Sequence, residues 1–188
     1  MPNREQSMKI DSSSGLLDRA RFVRSPNCDT RPDGFEIEVL VIHAISLPPG
    51  KFGGPGIEQL FCNALDPEEH SYYRDICDLR VSAHLLIRRD GEVLQFVPFH
   101  ERAWHAGESC CEGRGRVNDF SIGIELEGCD EVSFTTAQYR VLTPVTRAIM
   151  KTYTAVTRER IFGHNDIAPE RKTDPGPNFD WGRYLGSL

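Results

Sequence analysis

No long apolar run, basic block or paired-cysteine motif is present in this chain of 188 residues. Without a stretch of about 18 apolar residues, the sequence predicts no membrane-spanning helix. Lysine and arginine number 22 against 28 aspartates and glutamates. That balance argues against nucleic acid or an anionic membrane as the main partner. The hydrophobic fraction of 39% is that of an ordinary globular protein, and the length suits one domain, expected to be monomeric.

The six cysteines show no C-x-x-C spacing, and two of them, Cys110 and Cys111, are adjacent. A structural zinc site made of cysteines is therefore not expected, and the thiols are predicted to be free. Residues 1–7 are polar and lack the apolar core of a signal peptide. Together these features predict a cytoplasmic location.

Hydrophobic patterning predicts the extent of the folded domain and the positions of its strands and helices. Residues 1–20 are polar and serine-rich, and we expect them to be poorly ordered, with one folded domain over residues 21–188. The patterns predict strands over 39–45, 81–87, 93–97 and 120–128, and a helix over 135–153. Asp90-Gly91 predicts a hairpin between the second and third strands. The expected fold class is α/β, a single domain with a central mixed β-sheet flanked by α-helices.

The stretch Ile161–Pro177 contains one histidine, one lysine and one aspartate within a proline- and glycine-rich loop. These are His164, Lys172 and Asp174. Pro175 biases Asp174 towards an extended conformation, and Gly163 leaves room for a close backbone approach beside His164. A surface turn with scattered charges is the ordinary alternative.

His43 lies near the end of the apolar run Val39–Ile45. A lone histidine there is usually a core residue with satisfied hydrogen bonds. However, His43, His164 and Asp174 could together form a three-ligand zinc site with one open position for a water molecule.

Glu125 and Glu127 are predicted to share one face of a strand, because Ile124 and Leu126 point to the other face. For Glu127 a solvated acidic face is the expected reading. For Glu125 a buried functional carboxylate competes with that reading, since a carboxylate near an activated water can carry its proton. Lys172 could stabilise an oxyanion, or it could be a solvated charge.

Six short motifs carry a family resemblance, and they occur in this order: V-I-H43, S-A-H84-L-L-I-R-R-D-G-E, A-W-H105-A-G, F-S-I-G-I-E125-L-E-G, G-H164 and R-K172-T-D174-P-G-P. The set resembles the zinc N-acetylmuramoyl-L-alanine amidases of the type-2 amidase and peptidoglycan-recognition superfamily. Within that family it is most similar to the cytosolic branch that acts on 1,6-anhydro-muropeptides. The resemblance extends from about Ser25 to Tyr184.

The resemblance implies an enzyme that binds one Zn²⁺ per chain, at one edge of the sheet, and cuts the amide between the muramoyl lactyl group and L-alanine. The implied setting is cell-wall recycling, with an effect on β-lactamase induction. An amidase acting on intact peptidoglycan and a non-catalytic muropeptide-binding module are the alternatives. The implied residues are zinc ligands His43, His164 and Asp174, catalytic Glu125 and Lys172, and substrate-binding Arg80, Trp104, His105 and Arg116.

Overall fold

Six strands form the central sheet in the part of the chain that the computed structural model describes, residues 7–188. They are β1 (Arg21–Phe22), β3 (Val39–Ile45), β4 (Leu85–Ile87), β5 (Val93–Gln95), β9 (Ser121–Glu127) and β10 (Ile161–Gly163). Two small two-stranded sheets pair β2 (Cys28–Thr30) with β6 (Glu101–Ala103) and β7 (Cys110–Cys111) with β8 (Arg114–Gly115). The helices are α1 (Gly56–Phe61), α2 (Ser71–Ile76), α3 (Thr136–Thr152), α4 (His164–Ile167) and α5 (Trp181–Gly186).

The strand order in the central sheet is β1-β5-β4-β9-β3-β10. Only the β4–β5 pair is antiparallel, and the other neighbours run parallel, so the sheet is mixed. The predicted hairpin at Asp90-Gly91 joins β4 to β5, and Gly91 adopts a φ of 94°, which favours glycine. The predicted fold class is confirmed.

Strands β3 and β9 are interior strands of the sheet, and both of their faces are covered. One face packs its apolar side chains under α3, among them Leu40, Ile42, Ile122 and Ile124. The opposite face of β3 contributes Val39 and Val41 to a second apolar cluster. Parallel strands covered on both sides are near-continuously apolar, which explains the run Val39–Ile42.

Helix α3 begins at a capping box, as its sequence predicts. The Thr135 hydroxyl accepts a hydrogen bond from the Gln138 backbone N–H at 3.1 Å, and the Gln138 side chain accepts one from Thr135 N–H at 3.0 Å. The buried residues Leu142, Val145 and Ile149 follow at helical spacing and face the sheet. Burying each such side chain contributes about 1.5–3 kcal/mol, more than the roughly 1 kcal/mol of the cap.

The segment before β1 packs against the apolar cluster between the sheet and α3. Leu17 is buried within the main apolar cluster, and its backbone N–H donates to the side chain of Gln95 at 2.8 Å. The predicted division of the chain at residue 20 stays a prediction, and residues 1–6 lie outside the described part.

All six cysteines are free thiols. Within residues 7–188, none of the helices combines the length and the apolarity needed to cross a membrane.

Candidate metal centre and active-site cleft

The carboxyl ends of three neighbouring parallel strands meet at one edge of the central sheet. His43 on β3 lies directly opposite Glu125 on β9. Gly163, the last residue of β10, pairs with Ile42, so that His164 follows immediately beside His43. Open parallel sheets commonly hold ligands at this edge. The topology thus brings together three residues that are far apart in the sequence.

His43, His164 and Asp174 point one atom each at a common position. The two Nδ1 atoms are 2.9 Å apart, and Asp174 Oδ2 lies 3.3 Å from His43 Nδ1 and 3.1 Å from His164 Nδ1. Tetrahedral zinc with bonds of about 2.0–2.2 Å places its ligand atoms roughly 3.3 Å apart. Three electron-rich atoms this close repel each other unless a cation or a proton lies between them. The donor set therefore fits a zinc ion.

The loop that carries Asp174 is held by its own backbone. Asn165 N–H donates to the Asp174 carbonyl at 2.9 Å, and the N–H of Lys172 donates to the Ala168 carbonyl at 2.9 Å. A Cβ on Gly163 would come within 2.8 Å of Pro175 Cδ, so this glycine permits the close approach predicted beside His164. These contacts turn the chain back and bring Asp174 to His164.

The protonation states of the candidate ligands suit a metal. Burial lowers the pKa of His43 to about 4. Burial works to raise the pKa of Asp174, but hydrogen bonds with His164 and His43 outweigh it and hold that pKa well below its ordinary value. Both groups are thus deprotonated near neutral pH, which is the form that binds metal ions.

Glu125 lies beside this cluster, and one of its carboxylate oxygens makes no hydrogen bond to the described residues. Its Oε2 is buried and has no hydrogen-bond partner among the described residues. Burial raises the pKa of Glu125 well above its usual range, the nearby Asp174 charge raises it further, and Lys172 lowers it. A carboxyl group with a raised pKa next to a cleft is suited to accept and return a proton.

The prediction that Glu127 lies on a solvated face is wrong. It lies on the same face as Glu125, as predicted, but its side chain is buried. Its carboxylate accepts hydrogen bonds from Gly53 N–H at 2.6 Å and Arg89 N–H at 3.1 Å, and it pairs with Arg88 at 3.3 Å. The local pattern could not show this, because the donors come from two distant loops.

A cleft of about 580 Å³ opens above the cluster. Its lining includes His164, Asp174, Glu125 and Lys172, and also Trp104 and His105, two of the four predicted substrate-binding residues. Arg80 is exposed at the rim, between Leu79 and Val81, which line the cleft. Arg116 forms an ion pair with Asp119 at 3.0 Å. Neither arginine belongs to the described lining of the cleft, and their substrate-binding roles stay predictions.

Two residues that shape the site, Arg171 and Ser121, were not predicted from the sequence. Arg171 donates to the carbonyls of Ala106 and Glu108 at 2.7 and 2.8 Å, which anchors the loop after Trp104. Ser121, at the start of β9, lies 3.1 Å from His105 Nε2. Ser121 shares the strand face of Glu125, which is the one sequence signal that could have pointed to it.

Comparison with known proteins identifies the family to which this chain belongs. The N-acetylmuramoyl-L-alanine amidase family matches residues 33–177. The 1,6-anhydro-N-acetylmuramyl-L-alanine amidase AmpD of Citrobacter freundii is 58% identical over 170 residues, which are 90% of each chain. The same enzyme of Escherichia coli strain K12 is 57% identical over 170 residues, covering 90% of this chain and 92% of that protein.

Solved structures of related proteins have a similar fold. A crystal structure of a selenomethionine AmpD derivative covers 93% of this chain and 97% of its own, with a TM-score of 0.91 and 56% identity. The amidase AmiD of E. coli, in complex with the substrate anhydro-N-acetylmuramic acid-L-Ala-D-γ-Glu-L-Lys, gives a TM-score of 0.59 at 32% identity, over 83% of this chain and 60% of that one. The resemblance read from the motifs is confirmed, and the chain belongs to the N-acetylmuramoyl-L-alanine amidase family.

Proposed function

We propose that this protein is a zinc-dependent amidase acting on 1,6-anhydro-muropeptides. It would cut the amide that joins the lactyl group of the N-acetylmuramoyl sugar to L-alanine. The observation that carries the proposal is a cluster of two histidines and one aspartate at the base of a cleft, beside a buried carboxyl group with an unsatisfied oxygen. Family membership supplies the substrate class.

His43, His164 and Asp174 would hold the metal. Zinc, when bound, supplies a Lewis acid that polarises the amide carbonyl and makes water a better nucleophile. Glu125 would accept a proton from the attacking water and return it to the leaving amine. Its buried position and raised pKa suit both halves of that transfer. Lys172 lines the same cleft, and its ammonium would stabilise the negative oxygen that develops on the carbonyl.

Trp104 is half-buried and lines the cleft, and it would contact the muropeptide. Arg80 is exposed between two residues that line the cleft, and it would bind a carboxylate of the stem peptide. The guanidinium fork suits that group. For Arg116 we keep the predicted contact with stem-peptide carboxylates. The reaction would serve the recycling of cell-wall fragments in the cytoplasm, by a monomeric enzyme, and would affect β-lactamase induction through the fragment level.

A product assay tests this function. The purified protein is incubated with 1,6-anhydro-N-acetylmuramoyl-tripeptide in H₂¹⁸O, and the products are analysed by mass spectrometry. We expect free tripeptide and an anhydro-sugar whose lactyl carboxylate has gained one ¹⁸O atom. Binding without cleavage would instead support a non-catalytic module, and release of peptides from intact peptidoglycan alone would support a wall amidase.

A further inference from the structure

The two histidines of the metal cluster both present Nδ1 to the common position. A ring nitrogen that binds a metal must be bare, so a neutral ring has to carry its proton on Nε2. His164 Nε2 lies 3.2 Å from the Ala106 carbonyl, which only accepts hydrogen bonds. Because the carbonyl can only accept, this contact alone keeps the proton of His164 on Nε2.

His43 has a different kind of partner. Its Nε2 lies 2.9 Å from Nδ1 of His105, another imidazole, which can donate or accept depending on its own tautomer. If His43 carries its proton on Nε2, His105 must keep Nδ1 bare and carry its proton on Nε2. The partner of His105 Nε2 is the hydroxyl of Ser121 at 3.1 Å. The state of His43 therefore depends on a chain of three side chains.

We propose that His105 and Ser121 are positioning residues for His43. His105 Nδ1 accepts the Nε2 proton of His43 and holds its ring orientation, and the Ser121 hydroxyl accepts the Nε2 proton of His105. This inference rests on the proposed metal site. It assigns a role to His105 other than contact with substrate. Both ring nitrogens of His105 are engaged, and the residue is only 9% exposed, so neither nitrogen is left to bind a muropeptide.

The surroundings hold His105 in place. The backbone N–H groups of His105 and Ala106 both donate to Asn118 Oδ1, at 3.1 and 2.9 Å. On the other side, the ring lies against Gly123 of β9. A Cβ at that position would come within 2.4 Å of His105 Cγ, so the glycine makes room for the ring. The Asn118 side chain holds the backbone at His105, and strand β9 lies against the ring, so together they define one position of the imidazole.

The test compares substitutions of His105 that keep or remove the acceptor. In His105→Asn the amide oxygen can occupy the place of Nδ1, whereas His105→Leu offers no acceptor. Ser121→Ala keeps the imidazole and removes only its Nε2 partner. The matched control is Ser82→Ala, since Ser82 is a buried serine whose hydroxyl bonds to the backbone of Asn27 and Trp104 and to no histidine ring.

Zinc affinity is measured by competition with a chromophoric chelator, after circular dichroism has shown that each variant is folded. Loss of such a partner typically weakens metal binding by about 10–100-fold. We expect a loss of that size in His105→Leu, a smaller loss in Ser121→Ala, and affinity near wild type in His105→Asn and Ser82→Ala. Wild-type affinity in His105→Leu, or equal losses in the asparagine and leucine variants, would overturn the proposal.

Nitrogen-15 NMR of the imidazoles in the zinc-loaded wild type reports the tautomers directly. The proposal requires the proton on Nε2 of both His43 and His105, and a proton on His105 Nδ1 would refute it. A wild type that binds no zinc would instead contradict the proposed metal site. The two failures are thus told apart by the wild-type titration.

Discussion

Glu125 and Glu127 lie two residues apart on the same face of β9, and the same substitution should affect them in opposite ways. Glu127→Gln replaces a buried carboxylate that accepts from Gly53 and Arg89 and pairs with Arg88. The two carboxylate oxygens accept from Gly53 N–H and Arg89 N–H, one each. The amide keeps only one acceptor oxygen, so its NH₂ group has to face the other N–H donor. We therefore expect this variant to lose stability and to keep its chemistry.

The size of that loss follows from the contacts. Removing one partner of a buried ion pair costs about 3–5 kcal/mol, and a hydrogen bond to a charged group contributes about 1.5–3 kcal/mol. Arg88 retains the carbonyl of Gly54 at 3.0 Å and the carboxylate of Glu92 at 3.3 Å, which reduces the penalty. We expect the free energy of unfolding to fall by about 2–3 kcal/mol. For a chain of this length, that lowers Tm by about 4–12 °C.

Glu125→Gln should do the reverse. Burial disfavours the charged form of Glu125, and its Oε2 lacks a partner, so the neutral amide leaves stability unchanged or raises it. The amide cannot carry a proton, and kcat should fall by about 10²–10⁴-fold. Zinc content should stay near wild type, because Glu125 is not proposed as a ligand.

The assay measures urea unfolding, bound zinc and turnover of anhydro-muropeptide in both variants, at a temperature where both are folded. Wild-type turnover in Glu125→Gln would refute the proton-transfer role, and loss of zinc there would make the residue a ligand or a support for one. Wild-type stability in Glu127→Gln would refute the argument from its buried contacts.

Three further predictions concern other parts of the chain. Lys172→Met should lower kcat by about 10²–10³-fold with zinc content unchanged, and unaltered turnover would remove Lys172 from the mechanism. Thr135→Ala should lower the free energy of unfolding by about 1 kcal/mol in urea titrations, because it removes half of the capping box of α3; no change would contradict the cap. Burial, reinforced by the charge of Arg31, lowers the pKa of His84 well below its ordinary value. Below about pH 6.5, His84 therefore binds a proton in the unfolded chain but not in the folded chain. Stability should therefore fall as the pH decreases from 7 to 5, and His84→Asn should reduce that slope by up to about 1.4 kcal/mol per pH unit in urea titrations; equal slopes would contradict a neutral His84.

Local patterns predicted the main elements because their causes are local, although the strand expected over 81–87 covers only Leu85–Ile87. The apolar run Val39–Ile45 became β3, the Asp90-Gly91 pair became a hairpin, and the capping box at Thr135 begins α3. Periodicity also placed Glu125 and Glu127 on one face of their strand. Residue types suggested His43, His164 and Asp174 as a possible zinc site, and the family motifs implied the same three residues. Their distances required the sheet topology.

Contacts between distant segments are what the sequence could not supply. The burial of Glu127 depends on donors from Gly53 and Arg89, 74 and 38 residues away in the sequence. The contact of His105 with His43 spans 62 residues. Neither contact leaves a periodic signal. The same residue types on a solvated strand or loop would give the same pattern, so Glu127 was predicted to be solvated.

The most direct test of the account measures bound metal and turnover together, in the wild type and in His164→Ala. Near neutral pH we predict about one zinc per wild-type chain and release of free stem peptide from 1,6-anhydro-muropeptide. His164→Ala should lose both, because it removes one of the three atoms that converge on the metal position. Full zinc occupancy with normal turnover in His164→Ala would contradict the central claim.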